Sequence, residues 1–403
     1  MFDTIAFSFL SLPVSRYHSY INSAVTILKA YKGTEPFANF LKIYFAQYKK
    51  FGSKDRKQIA HLCYCYFRLG KAFMELPVAE RILTGLFICS SQKNEILQEL
   101  DPDRNEQITL DIRAKMAMLG LKAGDIFPWQ YELSDSIDKE AFSFSHFQQP
   151  DLFLRIRPGK EKTVREKLSA AGIEYESKGQ YCLIFPNASK IDSAIYINKE
   201  AVIQDLSSQK VGEFFQLVRR RPSDQLPNKL WDCCAASGGK SIMAKDILGD
   251  VDLTVSDIRE SILVNLKMRF EGAGIKDYRS YVLDLANDKT QYSMFNDPFS
   301  IVVADVPCSG SGTWGRTPEQ LCYFDPKEIK EYAKLQKKIL GNVVPYIAAG
   351  GYLLYITCSV FKKENEEAVD FIKEKFQLQL LKMELLKGYE EKADTMFAAL
   401  LKK

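Results

Sequence analysis

The sequence predicts an α/β fold: a parallel, doubly wound sheet in the carboxyl-terminal half, preceded by a small α+β module and an all-helical amino-terminal domain. Three observations predict it. From Leu230 onward, short β-branched or aromatic runs alternate with helix-patterned stretches, the alternation that builds a parallel sheet. Residues 1 to about 140 instead place apolar residues three and four apart, the spacing of a single helix face. Two late apolar runs, VVADVPCSGSG and YLLYITCSV, lead straight into Pro-Cys-Ser and Thr-Cys-Ser. They read as buried strands that deliver Cys308 and Cys358 at their carboxyl ends, where open α/β sheets bind ligands.

Bulk properties set the frame. A chain of 403 residues is long enough for two or three domains. A hydrophobic share of 46% and a charged share of 26% are those of an ordinary globular protein. The net charge of +4 permits an anionic partner without demanding one. Nine cysteines, with Cys233 and Cys234 adjacent, form no spaced framework, so reduced thiols and a cytoplasmic location are expected. The opening run MFDTIAFSFLSLPVSR carries Asp3 where a signal peptide carries Lys or Arg, and it is too short to span a bilayer. No transmembrane segment is expected.

In chain order, INSAVTILKAY, FANFLKIYFAQYKKF and RKQIAHLCYCYFRLGKAF give the helices of the first domain (1–140), punctuated by Gly33, Pro36, Gly52 and Gly70. The second unit (141–215) reads DLFLRIR, helical EKTVREKLSAAG, QYCLIFPN and AIYINKEAVIQD, a strand-like alternation with short turns. A basic, proline-containing segment, Arg219 to Pro227, leads into the third unit (216–403). There the strands are KLWDC, VDLTVSD, YRSYVLDL, FSIVVADVP and GYLLYITCS, with RESILVNLKMRFEGAG and EIKEYAKLQKKILGNVVPYI as helices between them.

The turn after KLWDC is Cys234, Ala235, Ala236, Ser237, Gly238, Gly239 and Lys240. It is not a nucleotide-phosphate loop, which needs a glycine five positions before that of Gly-Lys-Ser and here finds Cys234. The dinucleotide pattern G-x-G-x-x-G is also absent. A small-residue turn between strand and helix lets backbone approach a ligand closely. An acid ends each later strand: Asp257, Asp284 and Asp305. Asp257 lies about twenty residues past the turn, where a second-strand acid accepts from ribose hydroxyls. A lone strand-end Asp is as often a helix cap, but three in register with a glycine turn favour a ligand. No metal-ligand cluster accompanies them, and a nucleoside with a cationic or zwitterionic tail, S-adenosyl-L-methionine, fits better than a nucleoside phosphate.

Most cysteines are inert core residues, and a free thiol needs a depressed pKa or a neighbouring base to react. Cys308 and Cys358 differ from the other seven by position. The chemistry that uses two thiols and a methyl donor is methylation of cytosine carbon 5. One thiolate adds to carbon 6 and makes carbon 5 nucleophilic, a second group assists release, and a carboxyl supports the N3 edge of the base. Asp305, three residues before Cys308, is placed for that last role.

At these residues the chain resembles the RsmB/Sun (Fmu) family of RNA cytosine-C5 methyltransferases. The family's CAAPGGK appears as CAASGGK (Cys234 to Lys240), its DAPCSGTG as DVPCSGSG (Asp305 to Gly312), and its TCS as Thr357-Cys358-Ser359. GRTPEQL, and QDLSSQKVGEFF ahead of the catalytic unit, also look like family segments. SKDRKQIAHLCYCYFR looks similar, more weakly, to a NusB-like RNA-binding domain. The resemblance implies a Rossmann-like class I methyltransferase domain with Cys358 as nucleophile and Cys308 as the release-assisting thiol. It further implies Asp257 at the ribose, Asp284 on the adenine side, Asp305 bridging toward the target base and Lys240 near the methionine end. The implied substrate is RNA, 16S ribosomal RNA or an assembly-stage small subunit, met by a monomer. Ser237 stands where the family has Pro, which puts cofactor affinity in question, and Cys233 has no assigned role.

Two alternatives stay open: a tRNA cytosine-C5 methyltransferase, and a non-catalytic RNA-binding ribosome assembly factor. A DNA cytosine methyltransferase fits worse, because in that class the Pro-Cys thiol attacks and the Thr-Cys-Ser thiol is surplus. Basic clusters at Lys49–Lys57, Arg155–Lys162 and Arg219–Arg221 are either solvated faces or phosphate contacts, which position RNA without reading its sequence. Phe142, Phe144, Phe147 and Phe153 serve either as base-stacking platforms or, the commoner use, as core. His61, Cys63 and Cys65 lack the second pair that a zinc site needs.

Overall fold

The computed structural model describes residues 15–219, 228–287, 295 and 297–403. The opening apolar run up to Val14 and the basic segment from Arg220 to Pro227 lie outside them. The described chain divides into two compact units, one of residues up to Pro128 together with Thr317–Tyr323, the other of Trp129–Arg316 and Phe324–Lys403.

The first unit is helical, as its periodicity predicts. Its longer helices are Arg16–Ala30, Phe37–Gln47, Ser53–Arg68 and Val78–Cys89. Ile21, Ala24 and Ile27 of the first pack with Ile59, Leu62 and Cys63 of the third and Ile82, Leu86 and Phe87 of the fourth. Short polar side chains start several helices. Ser15 accepts from the His18 amide, Asn94 from Leu97 and Asp111 from Ala114, bonds that satisfy amides without an intrahelical partner. Helix Phe37–Gln47 begins after Pro36, which has no side-chain acceptor. Its Phe37 amide donates instead to Glu319 Oε1 at 3.0 Å. Glu319 opens the short helix Glu319–Tyr323, whose Tyr323 ring meets Tyr31 edge-on at 5.3 Å. In this unit Cys63 is buried against Ala24 O and Cys65 Sγ lies 3.6 Å from His61 Nε2.

The second unit contains two sheets. The smaller is antiparallel, in the order β2-β3-β1-β4, with β1 at Leu152–Ile156, β2 at Glu176–Lys178, β3 at Cys182–Phe185 and β4 at Ala201–Ile203. Helix Glu161–Ala170 covers it with Val164 and Leu168. Phe142, Phe147 and Phe153 are buried, so core packing is their use.

Arg155 and Arg157 correct the reading of their cluster as a phosphate-binding run. Both turn inward onto Asp246 of helix Gly239–Leu248, at 2.7 and 2.8 Å, with only 9% and 16% of their side chains exposed. Arg155 also donates to Gln204, and Arg157 to the Ala273 carbonyl. These bonds tie the small sheet to the helix that follows the glycine turn.

The larger sheet has seven strands in the order β10-β11-β9-β8-β5-β6-β7. They are β5 (Lys229–Asp232), β6 (Asp252–Asp257), β7 (Arg279–Val282), β8 (Phe299–Asp305), β9 (Ile347–Thr357), β10 (Gln379–Leu386) and β11 (Met396–Lys402). β5 to β9 are parallel, and β8 and β9 are apolar and buried along most of their length, as expected of strands covered on both faces. The chain runs β5, β6, β7 toward one edge, then crosses back to place β8 on the other side of β5. Such a reversal opens a crevice at the carboxyl ends of the central strands. β10 and β11 are antiparallel additions beside β9 that the sequence reading did not include. No described helix is long and apolar enough to cross a membrane.

Replacing Asp246 with Ala leaves two arginines without their carboxylate partner in a nearly closed site. The expected cost is about 3 kcal/mol, the low end for breaking a buried ion pair, read from urea unfolding; a change below ~1 kcal/mol on the scale of exposed pairs contradicts this account.

Candidate active site

The crevice holds a cavity of about 500 Å³ whose wall includes Cys234, Ala236, Asp257, Asp284, Cys308 and Cys358. Its size lies within the range of small-molecule sites. The turn that floors it is fixed from below. Ala235 donates to Ser256 O, Ala236 donates to Asp257 Oδ2 at 3.0 Å, and Gly238 donates to Ala235 O. Gly238 sits at φ +80°, and a Cβ there would lie 2.5 Å from the Phe270 ring. Only glycine allows both the left-handed backbone and this approach of helix Glu260–Ala273. Ser237 is held by Arg269 of that helix, which donates to its Oγ at 2.6 Å and its carbonyl at 3.1 Å. A hydroxyl and a guanidinium thus fix a turn that the family stiffens with proline. Cys233 is a core residue under the turn: its carbonyl accepts from Ser256 Oγ, and burial, then Cys234, push its thiol well above the usual range.

The strand-end acids surround the cavity. Asp257 accepts from the Ala236 and Arg259 amides and pairs with the Arg259 side chain. Asp284 accepts from the Ala286 amide and from Asn287. Ile258, Leu283 and Leu285 supply apolar wall beside them. Asp305 accepts from Lys240 Nζ at 2.6 Å. Burial pulls the Lys240 ammonium down, but Asp305 and Cys358 outweigh it and hold it above its ordinary value.

Asp232, at the end of β5, is a site residue the sequence reading missed. It is buried, Oδ2 accepts from Ser241 Oγ at 2.5 Å, and Oδ1 has no partner. Burial pushes its carboxyl up to about 7 against the pull of the Ser241 hydroxyl. Asp232 also lines a smaller cavity, of about 280 Å³, with Lys240, Asp305 and Asp394. The signal was its place immediately before the two cysteines of the turn, a strand-end acid like the other three.

Cys308 and Cys358 are brought together. Their sulfurs lie 3.1 Å apart because β8 and β9 are parallel neighbours, Asp305 opposite Ile356. The Gly312 amide donates to the Cys358 carbonyl at 2.8 Å, and a Cβ on Gly312 would lie 1.9 Å from Thr395 O. The hydrogen bond to Cys358, then burial, hold the Cys308 thiol well above the usual cysteine range. All the predicted catalytic and cofactor residues therefore line or support one crevice. Among the described residues no group of three or more His, Cys, Asp or Glu is placed to hold a metal.

These residues fit S-adenosylmethionine: the cavity has the size for a nucleoside with an amino-acid tail, the Asp257 and Asp284 carboxylates line it, and Asp232, with an orphaned oxygen, lines the smaller neighbouring cavity. The fold is that of a Rossmann-like class I methyltransferase domain. Residues 221–400 match the family described as 16S rRNA methyltransferase RsmB/F, which bears out the likeness carried by the cysteine motifs. The chain is 28% identical over 239 residues to a probable ribosomal RNA small subunit methyltransferase B of Bacillus subtilis, covering 57% of this chain and 51% of that protein. It is 26% identical over 240 residues to ribosomal RNA small subunit methyltransferase B of Xylella fastidiosa, covering 57% and 52%. It thus spans about half the length of these curated relatives. The crystal structure of PH0851 shares the fold over 98% of this chain and 100% of that one, with a TM-score of 0.66 and 19% identity.

Asp232 generates a pH prediction. Its folded-state pKa lies above that of an unfolded Asp, so the folded state binds more protons and stability falls as pH rises from about 4 through 7. Asp232→Asn is expected to be more stable than the parent at pH 8 in thermal melts. It is also expected to bind S-adenosylmethionine about tenfold more weakly by calorimetry, at the lower end for a hydrogen bond to a charged group. Unchanged affinity would place the cationic tail elsewhere.

Proposed function

We propose that this protein transfers a methyl group from S-adenosylmethionine to carbon 5 of a cytosine in RNA, through a covalent Cys358 adduct at carbon 6. The observation that carries this reading is the thiol pair: two sulfurs 3.1 Å apart beside the Lys240–Asp305 ion pair, on the wall of the cofactor-sized cavity. S-adenosylmethionine supplies the methyl group as an electrophilic sulfonium substituent. Cys358 adds to carbon 6 with the Lys240 ammonium facing it. Asp305 accepts from the base at its N3 edge, and Lys240 keeps that carboxylate oriented. After transfer the carbon-5 proton passes to water, its bonding pair re-forms the carbon 5–carbon 6 double bond, and the electron pair of the carbon–sulfur bond returns to Cys358. Cys308 assists this release, its S–H within reach of the departing sulfur. Asp257 receives the ribose hydroxyls in exchange for Arg259, and Asp284 stands on the adenine side.

The substrate that the family likeness favours is 16S ribosomal RNA or an assembly-stage small subunit, in the cytoplasm. A base must leave its stack to reach Cys358, which suits a loop or a partly assembled RNA. The experiment uses Cys308→Ala and Cys358→Ala variants with S-adenosylmethionine and unmodified ribosomal plus transfer RNA. Cys308→Ala is expected to methylate once and accumulate a detergent-resistant protein–RNA adduct, whose RNA sequence identifies the substrate. Cys358→Ala is expected to give neither adduct nor methyl transfer. Methyl transfer by Cys358→Ala, or an adduct on Cys308, would overturn the roles.

A further inference from the structure

Glu364 lies in the turn between β9 and helix Glu366–Phe376 and is fully buried. Its Oε2 accepts from the Ser309 amide at 2.8 Å and from Gln336 Nε2 at 3.2 Å, and its Oε1 accepts from Ser359 Oγ at 2.9 Å. Ser309 directly follows Cys308, and Ser359 directly follows Cys358. A single carboxylate therefore bridges the two turns that carry the thiols. The bridge is reinforced on both sides. Gln336 also donates to the Pro307 carbonyl, Ser309 Oγ donates to Ser359 Oγ at 3.2 Å, and the neighbouring Asn365 accepts from Thr357 Oγ1 and donates to Ser359 O.

We propose that Glu364 is a positioning residue for the thiol pair, clamping the Cys308 and Cys358 turns together and placing a fixed negative charge behind Cys308. The proposal rests on the reading of the pair as catalytic thiols and extends it to what makes the two unlike. A neutral Gln or Asn would meet the same turn geometry with fewer acceptor sites; burial of the carboxylate costs desolvation and holds the Glu364 carboxyl above its ordinary value, while its three donors pull it back. Its charge favours the protonated form of a nearby thiol. Cys308 faces Cys358 from β9, Glu364 from the turn, Tyr355 on β9 and Tyr332 on helix Lys327–Val343, with Asp305 earlier on its own strand and Lys240 on the Cys358 side. Among these, Glu364 adds to the upward pull on the Cys308 thiol, after the Cys358 hydrogen bond and burial. The clamp thereby keeps Cys308 a donor while Cys358 attacks.

The test reads the thiol directly and uses neither RNA nor methyl transfer, so its outcome is separate from that of the proposed reaction. In a Cys358→Ala background, alkylation of Cys308 by iodoacetamide is followed against pH by mass spectrometry of the Cys308 peptide. Adding Glu364→Gln is expected to lower the midpoint by about one pH unit, a tenfold gain in thiolate at fixed pH, whereas Glu364→Asp leaves it in place. Should Glu364→Gln fail to fold, Ser359→Ala removes one donor from the carboxylate and leaves its charge; it is expected to raise the midpoint by roughly half a unit. A midpoint unmoved in the folded Glu364→Gln protein, or unmoved in Ser359→Ala where the first variant does not fold, overturns the proposal.

Discussion

In the parallel ladder between β8 and β9, Asp305 lies opposite Ile356, and each strand runs on only a few residues to its cysteine. That register decides where every reacting group stands. A slip by one residue would turn each side chain to the other face of the sheet, sending one thiol into the covering helices. The register is held by packing: Val302, Val303, Leu353 and Leu354 are at most 1% exposed, and a slip would have to repack both closely filled faces of the strands. β11 then locks β9 from its other side, pairing from Phe397 opposite Thr357 to Lys402 opposite Tyr352.

Around that register the protein gathers charges that each need a partner inside a poorly solvated crevice. Lys240 has Asp305, Glu364 has three donors, and Arg316 joins Asp205 to Asp394. Burial, then the neighbouring Asp205 carboxylate, push Asp394 up to about 7, with Arg316 opposing. Asp232 stands apart, one oxygen bonded to Ser241 and the other orphaned. A buried polar group without a partner costs free energy, and a cationic ligand removes that cost.

Much of this was legible from residues that announce themselves locally. Strand-like runs ending in Pro-Cys-Ser and Thr-Cys-Ser located β8 and β9, and the small-residue turn located the cofactor crevice. What escaped depends on long-range contacts. The stretch around Gln379–Leu386 shows no clean alternation, and Met396–Leu401 is apolar throughout, a pattern that periodicity alone cannot assign to strand or helix. Arg155 and Arg157 look like a surface cluster until Asp246, far along the chain, is folded beside them. Thr317–Tyr323 follows the Cys308 motif directly, yet it packs with the helical unit, because Glu319 and Tyr323 satisfy groups there that no nearby sequence reveals.

The central claim is that two neighbouring thiols have unlike roles and that Cys358 is the one that bonds to the base. It is tested most directly by giving the unaltered protein S-adenosylmethionine and its RNA substrate with 5-fluorocytidine in place of cytidine. Fluorine at carbon 5 cannot leave as a proton does, so the adduct is arrested after methyl transfer. The account predicts a stable RNA–protein adduct whose peptide maps to Cys358, with the methyl group on the trapped base. An adduct that maps to Cys308, or methyl transfer without any adduct, would contradict it.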